Sequence, residues 1–224
     1  MSPDKRTARI AGLLYLLVAV TSGFALSVRT SLIAPGNAAA TVSRIAASET
    51  LFRITLVSDL IGQTFHVLLV LALYKLLKDV DRNQAALMTV LALVPVPIAC
   101  INLLNQVAVL PLLHGADYLK VFTADQLHAQ AMFLLNLQSQ GILIAQVFWG
   151  LWLFPLGYLV FKSRRIPRIL GILLIVAGLG YLVDCLGKFL LPNYTLTVST
   201  YTFIGELSLT FWLLIWGVKD QPRA

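Results

Sequence analysis

Six long runs of predominantly apolar residues decide what this chain can fold into. A helix crossing a hydrocarbon core about 30 Å thick needs roughly 20 such residues. The runs span about 8–28, 53–77, 84–113, 130–161, 168–191 and 201–218. They predict an all-α fold, a polytopic transmembrane helical bundle of about six spans, in one integral membrane domain covering residues 1–224. Composition excludes a soluble domain of this size. The chain is 58% hydrophobic and 12% charged, whereas an ordinary soluble domain is about 25% charged.

Lys and Arg asymmetry orients the spans. Lys5, Arg6, Arg9, Lys75, Lys78, Arg82, Lys162, Arg164, Arg165, Arg168, Lys219 and Arg223 fall on one side, against Arg29, Arg44, Arg53, Lys120 and Lys188 on the other. Twelve against five places both termini and the connections near residues 80 and 165 in the cytoplasm. The net charge of +7 therefore points to lipid head groups, with membrane lipids as partners and no nucleic acid, because the basic residues cluster at span ends rather than along one face. Residues Ile10 to Leu26 form an apolar run longer than a signal-peptide core and read as a retained first helix. Cys100 and Cys185 both lie in apolar runs and suggest no disulfide framework.

Within this frame, Pro95 and Pro97 should break or kink the third span, and Pro155 the fourth, because each removes a helical N–H. Ser31 to Asn37 reads as a turn, followed by a short interfacial helix from Ala38. An internal echo suggests a repeated helical hairpin, spans 1–2 and 5–6. Arg9-Ile10-Ala11-Gly12-Leu13-Leu14 recurs as Arg168-Ile169-Leu170-Gly171-Ile172-Leu173, and Asp59-Leu60 is matched by Glu206-Leu207.

Polar side chains are costly in lipid, so those inside the runs are where function is expected. Counting from the outer span ends, Asp59, Asn105, Asn136, Gln140, Asp184 and Glu206 fall at a common depth of roughly 10 Å. Asp59, Gln63 and His66 follow i, i+4, i+7 and share a helix face, as do Asn102, Asn105 and Gln106. Lys188 stands one turn from Asp184 as its expected ion-pair partner. Arg53 and Arg29 lie above the layer, ready to pair with Asp59 or Glu206. The candidate ligand-binding set is therefore Asp59, Gln63, His66, Asn105, Asn136, Gln140, Asp184, Glu206, Arg53 and Lys188, in the outer half of the bilayer.

No catalytic residue, metal site or cofactor is assigned. His66 lacks the i, i+4 histidine partner of zinc hydrolases, and no nucleophile elbow, P-loop or dinucleotide fingerprint occurs. The tryptophans Trp149, Trp152, Trp212 and Trp216 read as interfacial anchors. Gly178 and Gly180 read as sites of close helix packing. Three functions compete. The first is small-molecule or ion binding and transport, with Asp59, Asp184 and Glu206 as proton or cation carriers. The second is a membrane-embedded enzyme acting on a lipid or isoprenoid, using the same carboxylates as acid and base. The third is a non-catalytic scaffold subunit whose polar layer only ties helices together.

The stretches Arg9–Tyr15, Ser31–Ala38, Ser48–Arg53, Asn102–Asn105, Pro167–Gly171 and Gly180–Asp184 together resemble the family called domain of unknown function 4386. The resemblance covers nearly the whole chain. It implies a multi-pass protein of a bacterial cell membrane and supplies no activity. Members of that family carry a His near the segment Asn136–Gly141. Gln138 and Gln140 stand there in this chain, which argues against a shared metal site.

Overall fold

The computed structural model describes residues 2–219. Arg223, counted above with the cytoplasmic basic residues, lies outside them. Among the described residues there are eleven α-helices, one 3₁₀ turn at Asp117–Leu119 and no strand. The helices are α1 (Pro3–Leu32), α2 (Ala38–Ala47), α3 (Glu49–Leu77), α4 (Arg82–Leu93), α5 (Pro95–Val107), α6 (Val109–His114), α7 (Ala124–Leu151), α8 (Leu153–Ser163), α9 (Arg168–Leu190), α10 (Val198–Thr202) and α11 (Ile204–Ile215). Taken with their near-continuous neighbours they give six segments long and apolar enough to cross a membrane: α1, α3, α4 to α6, α7 to α8, α9, and α10 to α11. The protein is a multi-pass membrane protein built as an all-α bundle.

Two of these segments break, at three points in all, by one rule. A proline cannot donate to the carbonyl four residues earlier. Pro97, Pro111 and Pro155 deprive Leu93, Val107 and Leu151 respectively, and those residues are the last of α4, α5 and α7. Each proline then occupies the first turn of the following helix, where its missing N–H has no intrahelical acceptor to lose. The third span thus breaks twice, at Val94 as expected and again at Ala108. The fourth breaks at Trp152. A further break at Phe203 has no such proline; Glu206 holds the corresponding position.

The chain divides into two compact units, each discontinuous in sequence. The first unit comprises residues 1–18, 64–97 and 143–224, and the second comprises 19–63 and 98–142. The first is filled by a core that includes Ala8, Ala11, Leu69, Leu73, Met88, Trp152, Leu156, Leu174 and Leu213. The second has its own core around Ile45, Phe52, Leu56, Leu103, Val109 and Leu135. The hairpins paired by the internal echo are not equivalent in this division. Spans 1 and 2 contribute to both units, whereas α9 to α11 belong to the first alone.

Close helix approach in the first unit depends on glycine. Gly150 and Gly157 face Gly178 and Gly171, and a Cβ at Gly157 would stand 2.6 Å from the Gly171 carbonyl oxygen. The basic loop near residue 165 is tied to both chain ends: Arg165 donates to Asp4 at 2.7 Å and to the Lys219 carbonyl at 3.1 Å. Lys162 pairs with Asp81 at 3.0 Å, and this hydrogen bond holds the Asp81 carboxyl below the usual carboxylate range. In the second unit, α2 forms where the turn and interfacial helix were expected. Gly36 supplies φ +71°, and the Asn37 side chain caps the helix by accepting from the Ala40 N–H at 2.9 Å. Both cysteines are free thiols.

Candidate functional site

In the second unit the expected polar layer resolves into separate groups. Arg29, buried on α1, donates to Asp59 on α3 at 2.5 Å, so this carboxylate has its own counter-charge inside the span. Arg53 does not take that role. Its exposed side chain reaches back one turn to Glu49 at 2.7 Å, and Glu49 also meets His114 at 3.1 Å. The reason is reach: Arg53 sits near the start of α3 beside Glu49, whereas Arg29 arrives from the neighbouring span at Asp59's level. Gln63 is half-buried, and its Oε1 has no hydrogen-bond partner.

Asn102, Asn105 and Gln106 share the inward face of α5, with Asn102 and Gln106 buried. Asn102 Nδ2 donates to the Gln138 carbonyl at 2.7 Å, and Asn105 donates to Asn102 Oδ1 at 2.9 Å. On α7 the structure corrects the expected facing. Asn136 and Gln140 are exposed, and Gln138, between them, is buried. Ala131, Leu135 and Gln138 form the buried i, i+4, i+7 stripe of that helix, so residues one or two positions away must turn outward. Asn136 instead lines a shallow open depression of about 640 Å³ with Ile33, Pro35, Gly36, Ala38, Ala129, Met132 and Phe133, which includes none of the three carboxylates.

In the first unit Asp184 is 1% exposed and accepts four hydrogen bonds. They come from the Val198 N–H at 2.8 Å, the Ser199 N–H at 2.7 Å, the Ser199 hydroxyl at 2.5 Å and the Tyr194 hydroxyl at 2.8 Å. The carboxylate thereby caps α10 and fastens the loop before it. Burial and the bond to Asp184 raise the Tyr194 phenol above its ordinary pKa. The expected ion pair with Lys188 is absent: Lys188 is exposed, and Asp184 is fully occupied by those donors.

Glu206 presents a different arrangement. It lies in the first turn of α11, is 6% exposed, and accepts hydrogen bonds from two phenols. Tyr15 Oη donates at 2.5 Å and Tyr181 Oη at 2.8 Å. The ring of Tyr15 lies 6.1 Å from that of Trp152, and the His66 ring meets Trp152 edge-on at 5.6 Å. His66 Nε2 then pairs with the Ala92 carbonyl at 3.0 Å, just before the break at Val94. Glu206, Tyr15, Trp152, His66 and Ala92 thus form one chain of contacts, and with Tyr181 all six spans contribute to it. Trp152 is accordingly a core residue, 2% exposed, and not an interfacial anchor; its place after the α7 break turns it inward. Trp212 and Trp216 stack at 4.8 Å, with Trp216 exposed.

The three carboxylates share no hydrogen-bond partner. His66, expected on a common face with Asp59 and Gln63, belongs to the first unit, and those two belong to the second. Of the two arginines expected above the layer, Arg29 is the one that pairs with Asp59; the residues missed from the sequence are Gln138 and the two tyrosines. Tyr15 carried a readable signal: it sits mid-span, where a tyrosine of the interfacial belt has no reason to be.

The family model for a domain of unknown function (DUF4386) matches residues 10–217, which takes in both units. An uncharacterized protein of Archaeoglobus fulgidus is 32% identical over 155 residues, which cover 68% of this chain and 77% of that protein. No solved structure matches the chain. The match runs from the start of the first apolar run to the end of the last, so the chain belongs to the family described as domain of unknown function 4386.

Proposed function

We propose that this membrane protein binds and exchanges a small cation, the proton included, at Glu206, as an ion-binding or transport-type protein. The observation that carries the reading is the character of Glu206's partners. Desolvating a carboxylate is costly unless a counter-charge or several donors compensate it. Asp59 has Arg29, and Asp184 has four donors. Glu206 is bonded by two neutral phenols alone. The balancing charge therefore comes from outside the chain, as a bound proton or another small cation at the carboxylate. His66 belongs to this site as the far end of its aromatic chain. Asp184 favours the scaffold reading at its own position, since its acceptors are already filled.

The test is infrared difference spectroscopy of the full-length protein in lipid nanodiscs, titrated separately with acid, sodium and potassium. A carboxyl band that responds to one of these and is missing from Glu206→Gln is expected. Tyr15→Phe and Tyr181→Phe should shift that band without removing it. A Glu206-dependent band that ignores all three titrants would reject the reading.

A further inference from the structure

Gln106 is the least explained buried polar residue of the second unit. Its exposure is 0%, yet neither Nε2 nor Oε1 has a hydrogen-bond partner. One turn earlier on the same helix face, Asn102 is fully engaged, held between the Gln138 carbonyl and the Asn105 side chain. That seat is built for it. A Cβ at Gly141 of α7 would land on the Asn102 carboxamide, so only glycine leaves room there. The fold thus fixes Asn102 and Asn105 and leaves the next residue on the face with two donor hydrogens and an acceptor unused.

The backbone beside it is also incomplete. Val107 ends α5 because Pro111 withholds the N–H its carbonyl would accept. Interrupted helices at membrane depth are tolerated where they border protein or a cavity, and they often mark binding sites. An unpaired buried amide is destabilising, because its lost hydration is not replaced, a penalty that Met or Leu in the same volume would avoid. Being wholly enclosed, Gln106 cannot be satisfied by lipid or by a second copy docking from outside. What satisfies it must enter.

We propose that Gln106, with Asn105 beside it, anchors a binding site for a small uncharged molecule that both donates and accepts hydrogen bonds, as a primary amide or an alcohol does. The carboxamides of Gln106 and Asn105 offer dipoles of both signs and no net charge, so a charged ligand would find no counter-ion in them. A carboxamide whose donor and acceptor ends are both vacant matches a ligand with the complementary pair. This site uses none of the residues assigned to the cation at Glu206.

Acetamide and glycerol are the probes, with the full-length protein in nanodiscs. Saturation-transfer NMR should show transfer to at least one of them, reduced threefold or more in Gln106→Met. Without probe, Gln106→Met should unfold roughly 2–4 °C above the parent, as expected for removing about 1 kcal/mol of penalty. Gln140→Met, at an exposed position of α7, should change neither result. No transfer to either probe, or transfer undiminished in Gln106→Met, overturns the proposal. So does a Gln106→Met protein less stable than the parent, since Gln106 would then be hydrogen-bonded within the bundle.

Discussion

Asp184 accepts four hydrogen bonds from the loop before α10 and from the first turn of that helix. Replacing it with Asn turns two donor hydrogens toward donors and removes the charge. Asp184→Asn should destabilise the protein by about 2–4 kcal/mol, since bonds to a charged acceptor contribute most. Denaturant unfolding in nanodiscs measures it, and a loss below about 0.5 kcal/mol, the usual range of a neutral surface change, would refute the capping role. Arg29 and Asp59 call for a different experiment. Each single neutral variant, Arg29→Gln or Asp59→Asn, strands a charge inside the span and should cost about 3–5 kcal/mol, while the double variant recovers much of it. A double variant as unstable as the worse single one would mean the two charges are solvated separately. The sequence showed which residues are polar at this depth but not which way each faces. Polarity alone does not distinguish Asn136 and Gln140 from Gln138; only the buried stripe of Ala131 and Leu135 separates them. Tyr15 and Tyr181 are marked in the sequence only by their mid-span positions, because most of a tyrosine is apolar and raises little cost in lipid.

Among the helices, the boundaries follow proline chemistry closely enough to be read in advance. The break at Ala108 was legible from Pro111 by the same argument that predicted those from Pro95, Pro97 and Pro155, whereas nothing comparable precedes the break at Phe203. Glycine placement carries the other element-scale prediction. Where α8 and α9 touch through Gly157 and Gly171, a methyl group meets the partner's backbone carbonyl at 2.5–2.6 Å and cannot be accommodated by a rotamer change. Gly157→Ala or Gly171→Ala should therefore cost about 1–3 kcal/mol despite alanine's higher helix propensity. Gly23 of α1 has no atom within 4 Å of its added Cβ, so Gly23→Ala should be neutral or slightly stabilising. Equal effects at Gly23 and Gly157, in parallel thermal melts, would show that the close approach contributes nothing.

For the molecule as a whole, the number of spans was evident from hydropathy, because roughly 20 apolar residues have no other use at this charge density. The two-unit division was not, since spans 1 to 4 each pass from one unit to the other with no change in composition at the crossing. Orientation rests on the distribution of basic residues and is tested by labelling intact cells with a membrane-impermeant thiol reagent. In a background lacking Cys100 and Cys185, cysteines at Asn37 and Asn193 should react, and those at Asn83 and Ser163 should not; the reverse pattern would invert the topology. The interleaving has a consequence for biosynthesis. Every residue of the second unit has been made once the ribosome passes Ile142, whereas the first unit, begun with the opening residues, also needs the last spans. At about 5–20 residues per second, the 64 residues from 143 to 206 occupy roughly 3–13 s, during which α1 is already made and Glu206 is still to come. Tyr15 and Glu206 lie 191 residues apart in the chain. Their hydrogen bond is therefore among the last long-range contacts to form, and a nascent chain interrupted in this interval carries a complete second unit beside an unfinished first one.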